Sequence, residues 1–173
     1  MGVQVEVQIA PGMAGSAIFS SDVQRGWRYR LTREWDAALP TVNFVGLNPS
    51  TADEMVADPT VRRCLGFARK WGFGKLLMTN IFAWRATDPS DMRRQADPIG
   101  QENDEHLRQA AREAQMVVAC WGEGGRHRER WREVEELLEP RVRCLGTNLS
   151  GQPKHPLYLA GDLEPELFCW PSA

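Results

Sequence analysis

The sequence predicts an α/β domain: a three-layer α/β/α sandwich around a central, mainly parallel four-stranded sheet, with an N-terminal antiparallel β-hairpin. Two observations carry that expectation. After Pro40, short apolar runs alternate with amphipathic helical stretches, the sequence form of strands joined by crossover helices. Asp-Pro pairs also recur at 58–59, 88–89 and 97–98. Such a pair opens a helix well, because aspartate caps a free backbone N–H and proline lacks only a donor that would stay unpaired there.

The elements follow in order. Ala17 to Ser21, the polar turn Asp22 to Gly26, and Trp27 to Thr32 read as the hairpin, within residues 17–35. Thr41 to Leu47 is the first strand of a core spanning residues 41–159. The helix after it, from Asp58-Pro59, places Val61, Cys64, Leu65, Ala68 and Trp71 on one face and stops at Gly72 and Gly74. Lys75 to Phe82 is the second strand. A short helix at Asp88-Pro89 follows, then a longer one from Asp97-Pro98 with Leu107, Ala110, Ala111 and Ala114 as its apolar stripe. Met116 to Trp121 forms the third strand, and the next helix turns Trp131, Val134, Leu137 and Leu138 inward. Arg141 to Leu145 is the fourth strand, leading into a loop that runs to His155-Pro156.

Composition narrows the function. A chain of 173 residues suits a single domain covering 1–173. Its 21 basic and 23 acidic residues leave a net charge of −2, so no global positive field draws it to nucleic acid, and such a role needs a local basic patch. Cys64, Cys120, Cys144 and Cys169 form no C-x-x-C pair, which speaks against a zinc or iron-sulfur site and for reduced thiols in a cytoplasm. Met1 to Ala10 lacks the form of an export signal, and no run approaches the ~18 apolar residues of a membrane span. The expectation is a soluble cytoplasmic protein without membrane partner, cofactor or metal.

Ligands of open parallel sheets bind outside the carboxyl ends of the strands, where loops and helix N-termini converge. In Gly46-Leu47-Asn48-Pro49-Ser50, Gly46 permits close approach and Pro49 holds Asn48 extended, aiming its amide into the crevice. An amide can hold a water or read a base edge but is no strong base. Asp53 or Asp58 could supply a carboxylate: Asp53 reads equally as a loop turn and as a catalytic carboxylate, and Asp58 reads first as the helix cap. His155 is the one histidine expected in the crevice and suits acid-base work or stabilisation of a departing anion, although a hydrogen-bonded loop role is as good a reading. His106 and His127 read as surface residues, and Asn103 as a buried amide tying down a loop.

Further candidates lie on the neighbouring loops. Asn80, Trp84, Arg85 and Thr87 follow the second strand, Trp121 and Gly122 the third, and Asn148, Ser150 and Lys154 the fourth. Arg85 suits a phosphate clamp. Trp84 and Trp121 could stack on a base or simply pack in the core. Arg126 and Arg128 begin a basic run that reads as a solvated helix face or as contacts to a nucleic-acid backbone.

Tyr29-Arg30-Leu31, Asn48-Pro49-Ser50-Thr51-Ala52-Asp53, Asp58-Pro59-Thr60, Asn80-Ile81-Phe82 and Trp121-Gly122 together resemble an uncharacterised prokaryotic and phage family of unknown function, from roughly Phe19 to Leu159. A more distant similarity is to the uracil-DNA glycosylase superfamily, especially its mismatch-specific branch. Gly46-Leu47-Asn48-Pro49 looks like that branch's Gly-x-Asn-Pro motif, and Thr79-Asn80-Ile81-Phe82 with Arg85-Ala86-Thr87 looks like its second motif. Trp121-Gly122 and the loop from Asn148-Leu149-Ser150-Gly151 to His155-Pro156 look like its later ones. The resemblance implies an N-glycosidic hydrolase in which Asn48 positions the attacking water, His155 stabilises the leaving base and Asn80 reads the base edge of a flipped nucleotide. The alternatives are a non-catalytic module binding nucleotides or nucleic acid, and an enzyme acting on free nucleotides or nucleosides. The final motif departs from the full His-Pro-Ser-Pro form, and no duplex-entering wedge is recognisable.

Overall fold

The computed structural model describes residues 1–138 and 141–172. Its strands are β1 (Val3–Ala10), β2 (Met13–Phe19), β3 (Arg28–Glu34), β4 (Thr41–Gly46), β5 (Lys75–Asn80), β6 (Met116–Ala119), β7 (Arg143–Cys144) and β8 (Glu166–Leu167). The helices are α1 (Pro59–Lys70), α2 (Pro89–Arg94), α3 (Asn103–Glu113) and α4 (Arg130–Leu137), with a 3-10 segment, Gly122–Glu129, ahead of the last. None of these helices is long and apolar enough to cross a membrane.

All eight strands share one mixed sheet in the order β1-β2-β3-β5-β4-β6-β7-β8. The pairings β1–β2, β2–β3, β3–β5 and β7–β8 are antiparallel, and β4–β5, β4–β6 and β6–β7 are parallel. This corrects the expected four-stranded sheet with a separate hairpin. The hairpin arms do pair, but β3 continues onto β5 from Leu31↔Met78 to Glu34↔Lys75, so the hairpin is part of the main sheet. The sheet gains β1 because Val3, Val5, Val7 and Ile9 alternate with polar residues and the Pro11-Gly12 turn returns the chain antiparallel. It gains β8 because the chain after the His155 loop comes back against β7.

Along β4, Val42 and Phe44 enter one apolar cluster and Val45 the other; along β6, Val118 enters the first, and Val117 and Ala119 the second. That alternation is the two-residue period of a strand buried on both faces. Val61, Cys64, Phe67 and Ala68 of α1 fill the first cluster. Met92, Leu107, Ala111, Trp131 and Val134, from α2, α3 and α4, fill the second. Asp58 and Asp88 cap as expected: their carboxylates accept the N–H of Val61 and of Ser90, each at 2.8 Å. Asp97-Pro98 does not open a helix. Asp97 Oδ1 accepts from Ile99 and Gly100 and closes a turn, and α3 starts only at Asn103 without a side-chain cap.

One irregularity positions the site. Across β2–β3 the register passes from Ile18↔Arg30 to Phe19↔Arg28, leaving Tyr29 as an extra residue. The bulge breaks the alternation. Tyr29 stacks on His106 of α3 and Arg30 pairs with Glu113 of α3, whereas Arg28 bonds Ala52 O and Arg33 bonds Asp53 O, both beside the α1 cluster. Arg28 therefore joins Leu31 and Arg33 on the α1 face, which regular pairing would deny it.

Candidate functional site

Strand β4 lies between β5 and β6, so the chain leaves its carboxyl end toward one neighbour and returns to the other only after β5. A crevice opens where connections part in this way. Gly46 to Ser50 emerges there. The backbone ladder runs past the strand ends, with Ile81 N bonded to Gly46 O and Phe82 N to Leu47 O, which holds the first two loops together.

A cavity of about 250 Å³ occupies the crevice. Gly46, Asn48 and Ser50 line it from the first loop, Asp58, Thr60 and Val61 from the start of α1, Asn80 and Thr87 from the end of β5 and its loop, His155 from the fourth loop, and Arg28 from β3. Thus Gly46, Asn48, Ser50, Asn80, Thr87 and His155 meet as the sequence suggests.

Each wall residue is held by a specific bond. Asn48 Nδ2 donates to Ala86 O at 2.9 Å and Pro49 O at 3.1 Å, so its amide nitrogen braces the second loop; its oxygen accepts no bond among the described residues. Ala86 N returns a bond to Pro49 O, giving Pro49 a bracing role beneath the cavity. Asn80 is 4% exposed and its Oδ1 is buried without a partner among the described residues. A Cβ at residue 46 would stand 2.8 Å from Asn80 Nδ2, so glycine makes room for the Asn80 amide. Behind Asn80, Asn103 Nδ2 donates to Asn80 O and Ile81 O, and Arg130 Nε donates to Ile81 O.

The His155 loop is braced from the third strand end. Trp121 is buried, its indole N–H bonded to Gln152 Oε1 at 2.8 Å, and Gly122 N bonds Pro153 O from a backbone with φ of +67°. Inside the loop, Asn148 N bonds Gln152 O and Ser150 Oγ bonds Glu123. Trp121, Gly122, Asn148 and Ser150 therefore shape the loop and do not line the cavity. His155 Nδ1 accepts the N–H of Leu157 at 3.2 Å, which fixes the neutral imidazole with its proton on Nε2. Desolvation lowers the His155 pKa below the ordinary histidine value, with the Asp58 carboxylate pulling the other way.

Other candidates fall elsewhere. Asp53 Oδ1 accepts from Met55 N and Val56 N, closing its own loop away from the cavity; Asp58 supplies the cavity's carboxylate while also capping α1. Trp84 packs edge-on against Trp27 at 4.9 Å, and the Arg85 guanidinium lies 5.1 Å over the Phe19 ring. Arg128 donates to Gln95 O and Ala96 O just past α2. Arg126 and Lys154 are exposed and off the cavity.

Sequence reasoning passed over Arg28, which is 2% exposed and lines the cavity. Its place depends on the bulge, and nothing in Trp27-Arg28-Tyr29-Arg30 distinguishes this arginine from Arg30. Burial pulls its pKa down to about 10, with Asp58 opposing and Arg85 and Arg33 adding to the fall, so it stays protonated at neutral pH.

Comparison with curated proteins and with solved structures finds no match. A family model described as "Protein of unknown function (DUF1643)" matches residues 28–157, from the site arginine to just beyond the site histidine. The match takes in every residue named above as lining the cavity, and the chain belongs to the DUF1643 family.

Proposed function

We propose that the chain is an N-glycosidic hydrolase that takes a nucleobase and its sugar into the crevice beyond β4. The observation that carries the reading is the meeting of Asn48, Asp58, Asn80 and His155, from four separate segments, around one cavity of about 250 Å³. The three consecutive parallel pairings across β5-β4-β6-β7, with helices over both apolar clusters, support a ligand pocket at the carboxyl edge of these strands.

In this reading Asn80 Oδ1, buried and unpartnered, accepts an N–H from the base edge. Asn48 Oδ1 orients a water, and Asp58 takes its proton as the oxygen bonds to the sugar carbon. The electron pair of the breaking C–N bond leaves on the base, and the His155 Nε2–H donates to that developing anion. The base takes up a proton from solvent as Asp58 releases the one it took from the water, so the products are free base and hydroxylated sugar.

The test is mass-spectrometric detection of free base from modified DNA, nucleosides and nucleotides. Wild type should release base, and Asn48→Ala should be slower by about 100-fold or more. Silence of the folded wild type across the panel would overturn hydrolysis and favour a binding module. A free nucleotide or nucleoside is favoured over nucleic acid as substrate by one observation: Arg126 and Lys154 do not line the cavity, and Arg128 is engaged with backbone carbonyls.

A further inference from the structure

We propose that Arg28 forms a buried anion subsite, so that the ligand of this cavity carries a phosphate or another oxyanion on the part that enters deepest. The proposal goes beyond the hydrolase reading, because it holds whether or not the ligand is cleaved.

Arg28 is 2% exposed, yet among the described residues its guanidinium makes a single hydrogen bond, from Nη1 to Ala52 O at 2.6 Å. Its Nε is buried with no partner, and no carboxylate forms an ion pair with it among the described residues. A guanidinium offers five N–H donors in a planar fork suited to two oxygens of one anion. Burying such a group unpaired is strongly unfavourable, so an orphan donor on a cavity wall points to a missing acceptor.

Its surroundings hold charges of both signs: the Asp58 and Asp53 carboxylates against the Arg85 and Arg33 guanidinium groups. Arg33 and Arg85 lie close enough to depress its protonation, and neither forms an ion pair among the described residues. Arg33 donates to the carbonyls of Thr32, Asp53 and Val56, and Arg85 to that of Arg25; the carboxylates of Asp53, Glu54 and Asp58 act on Arg33 from nearby without forming an ion pair with it. Asp58 opposes them from the same cavity, but its Oδ1 is held by Val61 N and it forms no ion pair with Arg28. Thr60 adds a hydroxyl to the wall. A cavity of about 250 Å³ admits a small ligand with a terminal oxyanion more readily than the backbone of a polymer.

The test titrates the full chain with inorganic phosphate, ribonucleoside 5′-monophosphates, the matching nucleosides and a short single-stranded oligonucleotide, in wild type and Arg28→Met. Monophosphates should bind wild type at least about tenfold more tightly than nucleosides, and Arg28→Met should erase that gap. Inorganic phosphate should compete with the monophosphates and raise the Tm of wild type. Equal affinity for nucleosides and monophosphates, a gap that survives Arg28→Met, or an Arg28 effect confined to the oligonucleotide would each overturn the subsite. If Arg28→Met does not fold, wild type decides alone: no phosphate-dependent rise in Tm and no competition overturns it. Equal base release from nucleoside 5′-monophosphates by wild type and Arg28→Met, at concentrations below saturation, would also overturn it while leaving the hydrolase reading intact.

Discussion

Arg28 and Arg130 are both buried arginines, and they sit on opposite sides of the backbone that leaves β5. Arg130, 1% exposed, gives Nε to Ile81 O at 3.0 Å, Nη1 to Glu133 at 2.6 Å and Nη2 to Asp104. With Asn103 it binds the backbone of Asn80 and Ile81 from behind, and its charge is answered by two carboxylates. Arg28, on the α1 side, has one carbonyl and no carboxylate partner among the described residues. A buried charge answered within the fold holds structure together; one left unanswered on a cavity wall marks where something else is to bind.

The sharpest way to break this contrast is to replace each arginine by methionine and measure urea unfolding. Arg130→Met should cost about 2–3 kcal/mol, because Ile81 O loses a charged donor inside the core and α3 loses its tie to α4. Arg28→Met should change stability by less than about 1 kcal/mol or raise it, since it removes a desolvated charge that has no partner. Equal losses would mean that Arg28 is as structural as Arg130.

Asp58 separates the two kinds of role within one side chain. Asp58→Ala should cost about 1 kcal/mol through the lost cap of α1, and Asp58→Asn, whose amide oxygen still caps, much less. Both should lose base release alike if the carboxylate takes the proton of the water. Retained activity in Asp58→Asn would reduce the residue to its cap.

Gly46→Ala acts through Asn80. The added methyl meets only the end of a side chain, so stability should move by less than about 1 kcal/mol while ligand affinity falls roughly tenfold. Wild-type affinity in this variant would mean that the Asn80 amide can shift without consequence.

The smallest effect is the pH dependence of stability. His106, His127 and His155 all lie below the ordinary histidine value of 6.5, each chiefly through desolvation. The unfolded chain therefore binds protons first as pH falls through that value. Stability is greatest above it and declines as the pH drops toward the lowered folded values. A Tm that is flat from pH 7.5 to 5.5, within a range centred on about 6.5, would contradict all three shifts.

Much of this was legible in residue order. The Asp-Pro caps at 58 and 88, the glycine stop after α1 and the convergence of Gly46, Asn48, Asn80 and His155 follow from local rules that the final packing obeys. Asp97-Pro98 misled because the same aspartate chemistry closes a turn as readily as a helix. The alternation of Val3, Val5, Val7 and Ile9 carried the signal for β1, but on an edge strand it has no buried partner face to make it distinctive. The sequence favours Asp53 as the catalytic carboxylate because Asp58-Pro59 reads as a helix cap; the structure reverses this, since Asp53 closes its own loop and the start of α1 turns Asp58 into the cavity while it caps. Arg28 was out of reach because its face depends on one unpaired residue in a pairing with another strand.

That unpaired residue makes the electrical character of the cavity a matter of counting. Pairing Tyr29 with Phe19 in even step would carry the Arg28 side chain round toward α3, beside His106 and Glu113, and put Tyr29 on the α1 face in its place. Every strand could keep its neighbours, yet the cavity would lose its cation. The register of two strands thus decides whether the pocket sets a cation against the Asp58 carboxylate or holds that carboxylate alone.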